Sequence, residues 1–206
     1  MITSAVPMLI YVVSNRRLRP DLDPLELMTR MARCGADMMQ VREKDLPAGT
    51  LLSLCRQAAS AGGADVYVNQ RVDVALSAHA RGVHLPADGL PAEAVRRMWG
   101  AGLRVGVSTH GLTEAVAAQA AGADFITCGP VFDTPSKRAY GPPLGVAALR
   151  QAAEAVTIPV FAIGGIHAGN VAQVARVPVA GVAMISAVIG SDDMAAAVDR
   201  VREAAA

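Results

Sequence analysis

Short apolar runs alternate with segments of helical period from one end of the 206-residue chain to the other. Eight such pairs are the complement of a closed parallel barrel, so the predicted fold class is α/β: a (β/α)8 TIM barrel, single domain, over residues 1–206. A second observation agrees. The run 159–163 is apolar at every position, as strands covered on both faces are, and its proline stands first, where a missing N–H is tolerated. A third is a weak repeat. Cys34-Gly35-Ala36-Asp37, Gly62-Gly63-Ala64-Asp65 and Ala121-Gly122-Ala123-Asp124 each close a helix on glycine and enter a strand. An open doubly wound sheet would also alternate, but eight units fit the barrel better.

In chain order, the first strand, 8–13, precedes a helix at 24–33, where Asp23 offers the cap, Pro24 the first turn and Glu26 an acid for the dipole. Strand 37–41 leads to helix 48–61, strand 65–68 to helix 71–78, and strand 81–85 to helix 91–100. Strand 103–107 leads to helix 112–120, where Leu112, Ala115, Val116 and Gln119 set a mostly apolar stripe on one face. Strand 124–128 precedes helix 146–155, strand 159–163 precedes helix 168–176, and strand 181–185 precedes helix 192–204, opened by Ser191-Asp192-Asp193.

Composition narrows the function. A net charge of +1 gives no electrostatic footprint for nucleic acid or a membrane surface, and 3% aromatics leave little for stacking on single strands. Cys34, Cys55 and Cys128 are odd in number and lack CxxC spacing, which favours reduced, buried thiols over disulfides or zinc. The start, 1–8, has no signal-peptide pattern, and no apolar run reaches the length of a membrane span. The expectation is a soluble cytoplasmic enzyme with no nucleic-acid or membrane partner.

The chemistry is expected at the C-terminal strand ends, where such barrels build their sites. After the sixth strand, Gly129-Pro130-Val131-Phe132-Asp133-Thr134-Pro135-Ser136-Lys137 combines hydroxyls and a lysine able to grip an anion. Strand alternation would align Gln40, Arg42 and Lys44 on one face, with Val41 and Glu43 facing the other way. Asn69-Gln70 end the third strand, and His84-Leu85-Pro86-Ala87-Asp88-Gly89 continue the fourth. Ser108 and His110 end the fifth, two apart. His110 is the proton-transfer candidate because imidazole titrates near neutrality, ahead of His84, His167 and His79. Gly164 and Gly165 on the seventh strand and Ser186 after the eighth suit a phosphate.

Tyr11-Val12-Val13-Ser14-Asn15-Arg16, Gln40-Val41-Arg42-Glu43-Lys44, Val68-Asn69, Gly82-Val83-His84-Leu85, Gly106-Val107-Ser108-Thr109-His110, the loop Gly129 to Lys137 and Ala162 to Ile166 give the chain its likeness. Across nearly its whole length it resembles the thiamine-phosphate synthase/TenI family. The resemblance implies a small barrel, often a homodimer, acting on phosphorylated thiazole or pyrimidine intermediates of thiamine biosynthesis. It carries a pyrimidine-diphosphate grip onto Gln40, Arg42, Lys44, Thr134, Ser136 and Lys137. It adds roles for Asn69 and Ser108 and places a thiazole phosphate against Gly164, Gly165 and Ser186. Two departures stand out: synthases carry magnesium-binding aspartates where this chain has Gln70 and Gly89. Asp88 lies one position early and is the metal ligand only if the chain is a synthase. On that ground the sequence favours a metal-independent TenI-type thiazole tautomerase with no cofactor, His110 moving the proton and Lys44 or Arg42 steadying charge. The alternative is a magnesium-using thiamine-phosphate synthase, and a third reading is a non-catalytic thiazole-phosphate binder or regulator.

Overall fold

The computed structural model describes residues 7–135, 138 and 141–206. Its strands are β1 (Leu9–Val13), β2 (Met38–Val41), β3 (Asp65–Asn69), β4 (Gly82–Leu85), β5 (Arg104–Thr109), β6 (Phe125–Cys128), β7 (Val160–Ile163) and β8 (Gly181–Met184). Each pairs in parallel with the next, and β8 returns to β1 through Tyr11 opposite Ala183, closing the barrel. The helices are α1 (Pro24–Arg33), α2 (Ala48–Ala61), α3 (Val72–Ser77), α4 (Ala92–Trp99), α5 (Leu112–Ala120), α6 (Gly145–Ala155), α7 (Val171–Val174), α8 (Ser186–Ile189) and α9 (Met194–Ala205). The predicted (β/α)8 architecture is the observed one. Among the described residues no helix is long and apolar enough to cross a membrane.

Local chemistry explains most boundaries. The Asp23 carboxylate accepts from the Leu25 and Glu26 N–H groups and starts α1; Asp193 accepts from Ala196 N and starts α9. The helix expected at 168–176 is instead the single turn α7. His167 N donates to Asn170 Oδ1 at 2.9 Å and holds the preceding residues in a turn. At the other end Pro178 disfavours helical geometry at Val177. The one-turn α8 was not expected, because four residues are too short to show a period.

Strand alternation sorts side chains into two compartments. Ile10, Val12, Met39, Val41, Val83, Val105, Ile126 and Val182 face outward into the apolar layer beneath the helices. Tyr11, Met38, Tyr67, Phe125 and Phe161 face inward and fill the barrel floor. The rings meet edge to face, with Tyr67 and Phe125 centroids 5.2 Å apart and Phe125 and Phe161 5.6 Å apart. Glycines make the room. A Cβ on Gly82 would lie 2.7 Å from the Tyr67 ring, and one on Gly181 would lie 2.9 Å from the Phe161 ring.

Below the floor, two members of the Gly-Ala-Asp repeat do the same work. Asp37 Oδ2 accepts from Ile10 N of β1 at 2.8 Å and from Arg202 of α9 at 2.8 Å. Asp124 Oδ2 accepts from Val105 N of β5 at 2.6 Å and pairs with Arg96 of α4. In each case a carboxylate entering one strand satisfies the open N–H of the strand before it and ties in a helix.

Candidate active site

Above the aromatic floor runs a column of polar side chains from five strands. The Gln40 amide Nε2 donates to Tyr11 Oη at 3.0 Å. Tyr11 Oη lies 3.2 Å from His84 Nδ1, and His84 Nε2 lies 3.0 Å from Ser108 Oγ and 3.4 Å from Thr127 Oγ1. Tyr11, Gln40, His84 and Thr127 are buried. Burial, with the nearby Arg42 cation second, pushes the His84 pKa down from 6.5 to about 3, so the imidazole is neutral. Burial likewise pushes the Tyr11 phenol well up, against a smaller opposing effect of the Gln40 hydrogen bond.

The rim beside this column is held by a clamp between the loops after β1 and β2. Ser14 Oγ donates to Glu43 Oε1 at 2.7 Å and accepts from Arg42 N at 2.8 Å. Arg16 N donates to the same Glu43 oxygen at 3.0 Å, and its guanidinium donates to Glu43 Oε2 at 3.0 Å. Arg16 also forks onto Asp45 with two 2.7 Å bonds, which Arg17 supplements at 3.1 Å. Arg16 holds the Asp45 carboxyl well below the usual range. The clamp corrects the alternation argument: β2 ends at Val41, before Arg42 and Lys44. Gln40 is buried, Arg42 half-buried and Lys44 exposed. The loop's course is set by Ser14 and the buried Glu43 rather than by the pleat.

Lys44, Asn69, Gln70, Arg71 and Glu43 line a cleft of about 100 Å³ between the ends of β2 and β3. Among the described residues, no carboxylate forms a salt bridge with Arg42 or Lys44. Gln70 has φ 65°, a left-handed conformation uncommon outside glycine, asparagine and aspartate. Ser108 belongs to the column, but His110, one residue beyond β5, does not. It is exposed, with its backbone N donating to Glu114 Oε2 at 2.9 Å and its Nδ1 3.0 Å from the same oxygen. Alternation fails for His110 because the strand has ended and the first turn of α5 captures the ring.

Gly164 and Gly165 have φ of 101° and 67°, and added Cβ atoms would meet Pro130 at 2.5 Å and Asp133 O at 2.7 Å. The strand-six loop lies directly on them: Val131 N donates to Ile163 O at 2.8 Å and Phe132 N to Gly164 O at 3.0 Å. The glycine pair is thus demanded by packing, whatever ligand it also meets. Ser186 opens α8 at the end of the adjacent β8. Thr134 lies in the same strand-six loop, where Arg138 grips Asp133 through bonds of 2.6, 3.0 and 3.1 Å. Ser136 and Lys137 lie outside the described residues.

Magnesium takes one or two carboxylates together with phosphate oxygens. The ends of β3 and β4 offer the exposed Asp88 and the Gln70 amide. Gly89 adds none, and a Cβ there would lie 2.8 Å from the Pro86 ring. Among the described residues no three His, Cys, Asp or Glu side chains gather to hold a metal. Asp88 is the one carboxylate among the four positions 69, 70, 88 and 89.

A family model described as thiamine monophosphate synthase matches residues 10–188, from β1 through α8. The chain belongs to the thiamine monophosphate synthase family. A relative from Anaeromyxobacter dehalogenans named thiamine-phosphate synthase is 46% identical over 184 residues, covering 88% of this chain and 83% of the relative. One of the same name from Roseiflexus castenholzii is 40% identical over 201 residues, covering 96% and 88%. The solved structure of thiamine phosphate pyrophosphorylase from Pyrococcus furiosus superposes with a TM-score of 0.84 at 34% identity, covering 96% of this chain and 95% of that one. These family members overturn the thiazole tautomerase expectation, in which His110 was to move the proton and Lys44 or Arg42 to steady charge. That expectation weighted two substituted positions, 70 and 89, above the rest of the motif set. Sequence reasoning also missed Tyr11, Ser14, Arg16 and Thr127, and took Glu43 for a bystander. The available signal was Gly82-Val83-His84, whose alternation points His84 inward beside a glycine notch.

Proposed function

We propose that the chain is a thiamine-phosphate synthase, a transferase joining hydroxymethylpyrimidine diphosphate to thiazole phosphate with release of diphosphate. The carrying observation is the pairing of an uncharged, buried column with a cationic rim directly beside it. Arg42 stands near enough to His84 to depress its pKa further, and the Ser14–Glu43 clamp fixes the loop that carries Arg42 and Lys44. The names of the family members support the same reading.

In the reaction the thiazole nitrogen lone pair forms the new C–N bond to the pyrimidine methylene carbon. The C–O bond to diphosphate breaks, and its electron pair departs with the leaving group. Arg42 and Lys44 meet that growing negative charge, an effect strongest where water is excluded. Gln40 and Ser108 face the neutral ring. Asn69 lies with Lys44 at the cleft, and the family resemblance assigns Thr134, Ser136 and Lys137 to the diphosphate as well. The thiazole phosphate lies at Gly164, Gly165 and Ser186.

The test is condensation by the purified protein supplied with both substrates, followed as thiamine phosphate formed and diphosphate released. Arg42→Ala should lower kcat/KM by about 100-fold, as loss of a charge-stabilising donor does. No product from the parent protein, or full activity in Arg42→Ala, would overturn the proposal.

A further inference from the structure

We infer that Tyr11 is a positioning residue: it fixes His84 as the Nε2–H tautomer, and through it turns the Ser108 hydroxyl proton toward an acceptor atom of the bound pyrimidine diphosphate. The inference rests on the synthase reading for the identity of the ligand, but the direction of the column follows from its atoms. An amide nitrogen only donates, so Gln40 Nε2 fills an acceptor position on Tyr11 Oη at 3.0 Å. The buried phenol has one proton left to place, and its remaining partner is His84 Nδ1 at 3.2 Å. Nδ1 is then an acceptor. A neutral imidazole has one N–H, which must sit on Nε2, facing Ser108 Oγ at 3.0 Å with Thr127 Oγ1 farther off at 3.4 Å.

Ser108 receives that bond, so its own proton is free to point up and away from the column. The preference is for a ligand atom that accepts, either a ring nitrogen or an anionic oxygen, over one that donates. Burial supports the scheme, because a histidine kept neutral has a fixed donor end and a fixed acceptor end. The floor keeps the ring in place: a Cβ on Gly106 would lie 2.7 Å from His84 Nδ1, so the imidazole edge sits hard against the β5 backbone.

The first test uses the unmodified, nitrogen-15-labelled protein, with the His84 tautomer read by long-range proton–nitrogen NMR. The expected result is a protonated Nε2 and a bare Nδ1; a protonated Nδ1 overturns the inference. The second is a double-mutant cycle on calorimetric Kd for the pyrimidine diphosphate, using Tyr11→Phe, Ser108→Ala and the pair. Each single change should weaken binding by about tenfold, the worth of one hydrogen bond, and the pair by little more than either alone. Tyr11 and Ser108 act here through His84, so additive losses, which a purely structural role for Tyr11 would give, overturn the inference. Repeating the titrations with diphosphate alone and with the pyrimidine alcohol identifies the acceptor: coupling retained with the alcohol places it on the ring, and with diphosphate on an oxygen. Bound ligand, the expected tautomer and the cycle without any product would sink the synthase reading and leave this inference standing. Turnover with the opposite tautomer would do the reverse.

Discussion

Acidification from pH 7 to pH 5 should cost the native protein about 2 kcal/mol through His84 alone. The imidazole titrates near 6.5 when the chain is unfolded and near 3 in the fold, where burial and Arg42 disfavour its charge. A depressed native pKa contributes stability that is complete above 6.5 and is lost as pH falls toward 3, because over that span only the unfolded chain takes up the proton. The span from pH 7 to 5 isolates this group from the lowered carboxylates. Asp45, Asp21, Asp73 and Asp133 are held down by their arginine partners, so their contributions fade only as pH falls below the ordinary 3.8. The assay is urea unfolding of the parent and of His84→Gln at both pH values, with a constant m value as the check on two-state behaviour. The parent should lose about 2 kcal/mol more than the variant. Equal losses in the two proteins would refute a buried, neutral His84.

Three other changes probe separate parts of the scaffold. Glu43→Ala removes a buried carboxylate that three donors share, and should lower stability by about 3 kcal/mol in denaturant titration while weakening diphosphate binding through the freed Arg42 loop. Gly106→Ala puts a methyl group inside the van der Waals shell of the Phe125 ring and 2.7 Å from His84 Nδ1. In a close-packed floor it should cost about 2 kcal/mol and lower the thermal midpoint by about 4–8 °C. Gln70→Asn gives the left-handed position at φ 65° a residue that tolerates it, and calorimetry should show a midpoint about 1–2 °C higher. A lower midpoint would mean that the Gln70 side chain does more than occupy that turn.

The barrel was legible because its determinants are local. Each strand is a short apolar run, and helix ends announce themselves through Asp23, Pro24, Asp193 and the glycines of the Gly-Ala-Asp repeat. Where a period had no room to develop, at α7 and α8, the reading was too long in one case and silent in the other. The rim cations were legible as residue types but not as geometry, since the Arg42 N–H is held by Ser14 in the loop after a different strand. The column was the least visible, because Tyr11, Gln40, His84, Ser108 and Thr127 each lie on their own strand and carry meaning only together. His110 misled for the converse reason: its position beside Ser108 in sequence says nothing about Glu114, four residues on, which draws it to the surface. The reaction class was read from positions 70 and 89 alone, and two positions weigh less than likeness along the whole chain.

The paired aspartates beneath the floor have a mechanical consequence. A closed ring of eight strands deforms most easily by turning oval, with opposite walls moving inward while the other two bulge. Asp37 anchors β1 and β2, and Asp124 anchors β5 and β6, four strands further round and so on the facing wall. Each anchor draws in the helix that precedes its strand pair, α9 on one side and α4 on the other, so the two are related by a half-turn about the barrel axis. The base is therefore kept circular from two opposed sides. Any opening and closing of the rim around a substrate must pivot above that base, in the loops after the strands, and cannot be borrowed from the strands themselves.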